Sequence, residues 1–348
     1  MLDFIFGLFS HDVGIDLGTA NTLVLVAGKG IVIREPSVLA RHKKTKKVLA
    51  VGTEAKKMRG KTPITIETIR PLRDGVISDF DAALAMVSHY IKLIHKGHGL
   101  IPKIPRPRVA IGIPSGVTEV ERRAVQEVAL SSGARVAYLI EEPMAAAIGA
   151  GFPINSSSGM MIVDIGGGTT EIAVISLSGI VVNKSIRIAG DEMDEAISSF
   201  ARLKYSILLG EKTSEEVKLS IGSAAPLESE KQFVVRGRDL ETGLPKSIKF
   251  NSSEIREALS PIVLQIVEGV AETIEETPPE LVSDILERGI ALAGGGSLLP
   301  GLADVIAERT KMPVWIAPDP LTCVVRGCGK VLEDEKLLNR VKVTGGLR

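Results

Sequence analysis

The chain is poor in aromatic residues and has no excess of either charge, and each shortage excludes a class of function. Phe, Trp and Tyr make up 3% of the 348 residues, too few for the stacking surfaces that bind single-stranded nucleic acid. Lys plus Arg and Asp plus Glu both number 42, so no net field attracts nucleic acid. We therefore expect no nucleic acid partner.

Cysteine is also scarce, and Cys323 and Cys328 have the spacing of neither a disulfide framework nor a zinc site. We expect a reducing cytosol and two buried structural thiols. No apolar run reaches the ~18–20 residues that cross a bilayer. The apolar first ten residues lack the basic region and the cleavage site of a signal peptide.

Aliphatic residues and 35 glycines dominate instead, and strand-like runs alternate with helical ones, which predicts an α/β fold of about two domains. Helices are predicted after Thr118, where Glu121 completes a capping box, from a cap at Thr213 to Ile221, and over residues 253–276. The basic run over residues 41–47 is predicted to be a solvated hairpin turn. The predicted strands cover residues 13–16, 23–26, 30–34, 108–113, 160–164, 171–176, 179–182 and 290–293.

An internal repeat is the most informative feature of the sequence. Each copy has an apolar strand, an Asp at the strand end, a Gly-rich turn and a second strand. Asp16 aligns with Asp164, and Gly18 with Gly166. Glycines let backbone N–H groups approach phosphate oxygens, and a carboxylate at the strand end suits Mg²⁺, which keeps several waters. Two such hairpins predict a clamp for the phosphates and Mg²⁺ of one nucleotide.

Other nucleotide-binding motifs are absent from the sequence. Neither copy is a Gly-x-Gly-x-x-Gly turn in a βαβ unit, and no Gly-x-x-x-x-Gly-Lys-Ser/Thr loop occurs. The chain is therefore predicted to be neither a dinucleotide dehydrogenase nor a P-loop NTPase.

Three further segments complete the predicted site. The flat backbone of residues 293–298 suits a purine ring, and Glu215 and Lys218 on one helix suit the base or ribose, although this spacing also fits a surface ion pair. Glu142 precedes Pro143 at a predicted helix start, so its carboxylate is a candidate to orient an attacking water. The alternative for Glu142 is a partner for the helix dipole.

In this order, these elements resemble those of the actin, sugar kinase and heat-shock chaperone ATPase superfamily. The sequences of these motifs are most similar to those of MreB, the family of bacterial actins, and the similarity covers essentially the whole chain. The segments that carry it are Ile15-Asp-Leu-Gly-Thr-Ala-Asn-Thr-Leu23, Ile69-Arg-Pro-Leu-Arg-Asp-Gly-Val-Ile77, Ile188-Ala-Gly-Asp-Glu-Met-Asp-Glu-Ala196, Glu142-Pro-Met-Ala-Ala-Ala-Ile-Gly149 and Leu292-Ala-Gly-Gly-Gly-Ser-Leu298.

The resemblance implies a two-lobed actin-like fold, with duplicated mixed sheets flanked by helices and a nucleotide cleft between the lobes. It implies four subdomains: IA (1–33, 78–150 and 311–348), the inserted IB (34–77), IIA (151–182 and 248–310) and the inserted IIB (183–247).

By position, the resemblance also implies the site. In this assignment Asp16 and Asp164 lie by Mg²⁺ and hold it through water, and Glu142 positions the attacking water. The residues implied at the phosphates are Gly18, Thr19, Ala20, Asn21, Gly166, Gly167, Gly168 and Thr169. Those implied at the nucleoside are Glu215, Glu216, Val217, Lys218, Gly294, Gly295, Gly296, Ser297 and Leu298.

A slow ATPase is implied, which binds ATP and ADP and polymerises into paired protofilaments on the inner face of the cytoplasmic membrane. There it organises wall synthesis with RodZ, MreC and MreD type membrane proteins. Apolar residues near the N-terminus share one face of a helical wheel and predict membrane contact, the alternative being a segment folded onto its own core. The predicted membrane residues are Leu2, Phe4, Ile5, Phe6, Leu8, Phe9, Leu100 and Ile101.

Three alternatives stay open at this point. A sugar-type kinase of the same superfamily needs a base for its acceptor hydroxyl, and no distinct candidate is found. A chaperone-type switch needs a peptide-binding domain after the ATPase, and a non-hydrolysing paralogue binds ATP without turnover.

Overall fold

The computed structural model describes residues 10–95 and 106–343. The predicted membrane residues at positions 2–9, 100 and 101 lie outside these ranges and stay predictions. The strands are β1 Val13–Leu17, β2 Asn21–Val26, β3 Gly30–Pro36, β4 Leu39–His42, β5 Val48–Val51, β6 Ile66–Ile69, β7 Leu72–Arg73, β8 Val76–Ile77, β9 Arg108–Ile113, β10 Val136–Glu141, β11 Met160–Ile165, β12 Thr170–Ser176, β13 Gly179–Ile186, β14 Ile207–Leu208, β15 Gln232–Asp239, β16 Pro245–Asn251, β17 Ile290–Ala293 and β18 Val314–Ile316.

The helices lie between these strands. They are α1 Thr53–Met58, α2 Phe80–His95, α3 Glu119–Ser131, α4 Glu142–Ala150, α5 Gly190–Tyr205, α6 Glu211–Ile221, α7 Ser252–Glu275, α8 Pro279–Arg288, α9 Leu302–Thr310, α10 Cys323–Glu333 and α11 Glu335–Val341, with short 3-10 turns at Gly295–Leu298 and Pro320–Thr322. The chain forms two compact units, residues 1–157, 175–180 and 321–348 in unit 1 and residues 158–174 and 181–320 in unit 2.

Unit 1 is built on a five-stranded sheet with the order β10-β9-β1-β2-β3. β1 pairs antiparallel with β2 and parallel with β9, which is parallel to β10. Buried side chains of this sheet, α2 and α3, among them Ile15, Met86, Ile111 and Val128, form its core. The carboxyl ends of β1, β9 and β10 therefore meet at one edge of the sheet.

Unit 2 repeats this plan. Its sheet has the order β13-β12-β11-β17-β18, and β17 is parallel to both β11 and β18. The strands β11, β12, β13, β17 and β18 thus occupy the positions of β1, β2, β3, β9 and β10. Buried residues of the sheet and of α5, α7 and α9, among them Met161, Ile197, Ile266 and Ile306, form the core. The predicted duplication of the sheet is confirmed.

Helices α4 and α10 of unit 1 pack with their backbones in close approach. A Cβ at Gly149 would lie 1.8 Å from the Cys323 carbonyl oxygen, and one at Gly327 would lie 1.9 Å from that of Ala145. Only glycine fits at either position, because any side chain would push the helices apart. Both cysteines lie on α10, and both are buried and outside any disulfide, as predicted.

Several predicted boundaries are corrected by the structure. The helix predicted to be capped by Thr213 begins at Glu211, with Gly210 as its N-cap, and the Thr213 N–H already donates to the Gly210 carbonyl. The predicted strand at 179–182 extends to Ile186. The capping box of Thr118 and Glu121 is confirmed. The predicted solvated hairpin turn is correct for residues 43–47, which connect β4 to β5. Arg41 instead belongs to β4, where it is buried and ion-paired with Glu67 and Asp79.

Candidate functional site

The first Gly-rich turn connects β1 to β2. The Gly18 N–H donates to the Asn21 carbonyl at 3.1 Å. The hydroxyl of Ser37 donates to the Gly18 carbonyl at 2.6 Å. Because that proton is used, the Thr22 hydroxyl, 2.8 Å away, donates to Ser37. Both hydroxyl-bearing residues are fully buried, so side chains hold this turn from beneath.

The same turn also has hydrogen-bond donors that remain for a ligand. The Thr19 hydroxyl accepts from the Gly75 N–H at 3.0 Å, which leaves its own proton to donate to a ligand. Within residues 10–95 and 106–343, the N–H groups of Thr19 and Ala20 donate to no backbone carbonyl. These donors fit phosphate oxygens.

Two carboxylates lie at the edge where β1, β9 and β10 end. Ile15 pairs with Ile111, so Asp16 follows beside Gly112, and a Cβ at Gly112 would lie 3.3 Å from Glu142 Cγ. The same Cβ would lie 2.7 Å from Val324 Cγ1, so the absent side chain at Gly112 leaves room for both Val324 and Glu142. Burial raises the pKa of Asp16 to about 7.

Cys328 lies behind these carboxylates. Burial first, and then the charges of Asp16 and Glu142, raise the pKa of its thiol far above the ordinary value. A thiol in this setting stays protonated and unreactive. It serves as a small apolar residue under the site and not as a nucleophile.

The second turn connects β11 to β12 with the same backbone hydrogen bond, from the Gly166 N–H to the Thr169 carbonyl at 2.9 Å. Its own carbonyls are taken by the first amides of α5. The Gly190 N–H donates to Gly166 O at 3.3 Å, and the Asp191 N–H donates to Gly167 O at 2.7 Å. In the described part of the chain, the N–H groups of Gly167 and Gly168 have no backbone partner.

Asp164 stands at the end of β11, opposite Ala293 of β17, and is 7% exposed. The next turn packs directly on it: Gly294 has φ 76°, and a Cβ there would lie 2.5 Å from Asp164 Oδ1. The Ser297 hydroxyl donates to the Gly294 carbonyl at 2.6 Å. The structure thus brings the predicted purine-side turn and the predicted metal-side carboxylate together in unit 2.

Helix α6 carries the other predicted nucleoside residues, and they separate into different environments. The Lys218 ammonium lies 2.8 Å from Asp194 Oδ1 and donates to the Gly190 carbonyl at 2.6 Å, so it reaches the second turn. Val217 is fully buried in the core, so only its backbone remains for a ligand. Glu216 is exposed and lies 3.5 Å from Lys212. Leu298 is 50% exposed.

Sequence reasoning missed four residues that shape the site. Ser37, Gly75, Gly112 and Asp194 act through contacts between different elements of the fold. Gly75 and Asp194 lie in the quoted segments 69–77 and 188–196, but the resemblance assigns neither of them a role. Among the described residues, no group of three His, Cys, Asp or Glu side chains is placed to hold a metal ion. No helix in the described ranges is long and apolar enough to cross a membrane.

Known proteins match this chain along most of its length. The family model MreB/Mbl protein matches residues 10–340. The cell shape-determining protein MreB of Escherichia coli (strain K12) is 52% identical over 331 residues, which cover 94% of each chain. The cell shape-determining protein Mbl of Bacillus subtilis (strain 168) is 47% identical over 337 residues, 97% of this chain and 100% of that one.

Solved structures agree with the sequence matches. MreB5 of Spiroplasma citri bound to ADP has a TM-score of 0.89 at 40% identity, with 95% of this chain and 98% of that chain covered. The MamK double helical filament shares the fold, with a TM-score of 0.78 at 24% identity over 93% of this chain and 99% of that chain. The predicted actin-like α/β fold is confirmed, and the sugar-type kinase alternative is not favoured. The chain belongs to the MreB/Mbl family of bacterial actins.

Proposed function

We propose that the chain is an ATP-binding, slowly ATP-hydrolysing cytoskeletal protein whose filaments maintain cell shape. One observation carries the proposal: two turns with the same backbone hydrogen bond, each after a strand-end Asp and each with two N–H groups left for a ligand. The MreB and Mbl relatives are cell shape-determining proteins, and MreB5 binds ADP and AMPPNP. Each turn by itself offers N–H groups that fit the phosphate oxygens of a nucleotide.

The strand-end carboxylates fit Mg²⁺. Asp16 has no hydrogen-bond or ion-pair partner among the described side chains, and burial disfavours its charged form, so a nearby cation would restore its ionisation. Two carboxylates suffice for Mg²⁺, which retains most of its waters and takes phosphate oxygens as further ligands. When bound, Mg²⁺ neutralises charge that develops on the phosphates.

Hydrolysis is assigned to Glu142, which begins α4 beside Asp16 and orients a water. The rate is slow because the filament uses hydrolysis to time its disassembly. A role for Glu142 as a partner of the helix dipole alone predicts binding without turnover, which distinguishes the two.

Assembly completes the proposal. Copies of the chain join in the actin manner into paired protofilaments, each copy divided into the four subdomains inferred above. Apolar residues of positions 2–9, with Leu100 and Ile101, bind the inner face of the cytoplasmic membrane, and avidity along the filament makes a modest anchor firm. RodZ, MreC and MreD type membrane proteins are the partners.

The test mixes purified protein with Mg-ATP and lipid vesicles, pellets the vesicles and images them by negative-stain electron microscopy. Wild type is expected to form membrane-bound filaments and to release phosphate. Asp164→Ala should lose nucleotide binding, whereas Asp304→Ala, an exposed carboxylate of the same unit, should keep it. A chain lacking residues 1–10 should bind nucleotide but leave the vesicles.

Two results contradict the proposal. A wild-type protein that binds ATP yet stays monomeric on lipid at high concentration refutes the cytoskeletal function. ADP formation that a small sugar stimulates would bring back the kinase alternative.

A further inference from the structure

The contact between α5 and α6 contains an ion pair that the proposed site does not yet explain. Lys218 Nζ lies 2.8 Å from Asp194 Oδ1, and the two side chains are 15% and 16% exposed. A charged pair this far removed from water holds its geometry, because loss of either partner leaves an uncompensated buried charge. An ion pair on the surface is not fixed in this way, because water solvates either partner when the pair separates.

The ammonium of Lys218 has N–H bonds to spare for a ligand. An ammonium group carries three N–H bonds. The Gly190 carbonyl accepts one of them at 2.6 Å, and the carboxylate of Asp194 lies 2.8 Å from the same nitrogen as its ion-pair partner. These two contacts fix the position of the ammonium and the directions of its remaining N–H bonds. Asp194 therefore controls where Lys218 offers a proton to a ligand.

The same contact reaches the second turn through Gly190. A Cβ at this residue would lie 3.3 Å from Gly166 O, 3.4 Å from Lys218 Nζ and 3.6 Å from Gly167 Cα. The start of α5, the ammonium of α6 and the phosphate-side turn thus converge on one residue without a side chain. A displacement of Lys218 is transmitted to the turn through two hydrogen bonds that share Gly190, one from Lys218 to its carbonyl and one from its N–H to Gly166 O.

We propose that Asp194 is a positioning residue for nucleotide binding, which holds Lys218 at the start of α5 so that a nucleotide meets α6 and the Gly166–Thr169 turn in one fixed arrangement. The inference rests on the proposed nucleotide site and adds to it a residue that acts through Lys218. Its chemical target is the nucleoside diphosphate, whose phosphates face the turn and whose sugar or base faces α6.

The charges around Asp194 give the proposal a second signature. Burial raises the pKa of Asp194 to about 6, against the charge and hydrogen bond of Lys218, and Glu215 and Asp191 raise it further. The neighbouring helix α7 contributes Glu254, whose carboxylate already accepts hydrogen bonds from Lys204 and Tyr205. Protonation of Asp194 below pH 6 removes the ion pair, so nucleotide affinity should fall in that range.

The test is a double-mutant cycle read by titration with fluorescent ADP in Mg²⁺ at pH 7.5. Asp194→Asn and Lys218→Met should each weaken binding about tenfold, since the first removes the charge that holds the ammonium and the second removes the ammonium that donates to Gly190. The double variant should bind no more weakly than Lys218→Met alone, because Asp194 acts only through Lys218. Glu195→Gln, which removes the same charge from the exposed neighbouring position, should bind like wild type.

Three further measurements show whether a loss of affinity in the double-mutant cycle comes from the ion pair or from misfolding. Far-UV circular dichroism and thermal melts verify that each variant is folded, and Asp194→Ser replaces Asp194→Asn if the latter is not. Between pH 7.5 and 5.5 the affinity of wild type should fall more steeply than that of Asp194→Asn, because Asp16 titrates in both proteins and Asp194 only in wild type. Lys218→Arg, which keeps the charge, should recover part of the affinity.

The outcomes separate the two proposals. If wild type binds no ADP, the proposed function fails. If wild type binds ADP but Asp194→Asn binds equally well, or if the two single effects add in the double variant, the nucleotide site stands and the role of Asp194 is refuted.

Discussion

The two Gly-rich turns have the same backbone and different supports. In both, a glycine N–H donates to the carbonyl three residues on. The carbonyl of Gly18 is held by the side chain of Ser37, whereas the equivalent carbonyl of Gly166 is held by a backbone amide, that of Gly190. The duplicated sheet therefore determines the shape of the turn, and each unit supports it with what its neighbouring elements provide.

The two turns also differ in the groups that can donate hydrogen bonds to a ligand. The first turn adds a hydroxyl, that of Thr19, to its two N–H groups. The second turn consists of glycines up to the buried Thr169 and depends on amides and on the start of α5. Side-chain substitutions should therefore damage the first turn more readily than the second.

The largest expected effect comes from adding one methyl group to each turn. A Cβ at Gly18 would lie 2.8 Å from the Asn21 carbonyl, closer than real Cβ atoms come, whereas one at Gly166 would lie 3.2 Å from that of Thr169. Gly18→Ala should weaken ADP binding by about 2–3 kcal/mol and Gly166→Ala by less than about 1 kcal/mol. Titration with fluorescent ADP measures both.

A matched control is Gly179→Ala, whose Cβ would make an ordinary contact 3.6 Å from Ser176 O. It should bind ADP like wild type. If Gly166→Ala proved the more harmful of the two turn variants, the contrast between the supports would be wrong.

The next effect concerns pH and the metal-free protein. Folding raises the pKa of Asp16 to about 7 by burial, so the folded state keeps a proton that the unfolded state has lost. This stabilisation is complete below the unfolded pKa and disappears as pH rises through 7, at about 1.4 kcal/mol per pH unit. With a chelator present, the free energy of unfolding of wild type should fall by about 2 kcal/mol relative to that of Asp16→Asn as the pH rises from 5.5 to 7.

Urea unfolding at a series of pH values tests this expectation. Above about pH 8 both states of wild type are ionised, and the difference from Asp16→Asn should become constant. A difference that does not vary between pH 5.5 and 7 would show that Asp16 is not disfavoured as an anion.

The smallest effect tests the support of the first turn directly. Ser37→Ala removes the buried hydroxyl that joins Thr22 to the Gly18 carbonyl, at an expected cost of about 1–2 kcal/mol in the free energy of unfolding. The exposed Ser229→Ala should stay within about 0.5 kcal/mol of wild type. Equal stabilities of the two variants would mean that Ser37 does not support the turn.

Local features of the fold could be predicted from the sequence because their causes are local. The repeat predicts both turns, and the Thr118–Glu121 capping box predicts the start of α3, since each involves residues three or four apart. The start of α6 could not be located in this way. Thr213 has a capping side chain, but the chain leaves β14 at Leu208 and turns helical at once, so Gly210 takes the cap position.

The supporting residues could not be predicted, because packing between distant elements creates their roles. Ser37 comes from the loop after β3 and lies in no motif. Asp194 lies in the segment 188–196 that carries the resemblance, but its contact with Lys218 depends on the packing of α5 against α6. Lys218 was singled out with Glu215, but the acid within ion-pair distance of its ammonium is Asp194. The strand-end carboxylates themselves were predicted from the repeat, and their metal-binding role stays a prediction.

The close glycine contacts between α4 and α10 allow the native cysteines to report when these helices separate. Both thiols of the chain lie on α10 and are buried, on the side of unit 1 where β1, β9 and β10 end. A thiol-specific reagent can reach them only after this helix has separated from α4 and β1. The labelling rate of the unmodified protein therefore measures how often this part of unit 1 comes apart, and its slowing by ADP would report ligand occupancy without an introduced label.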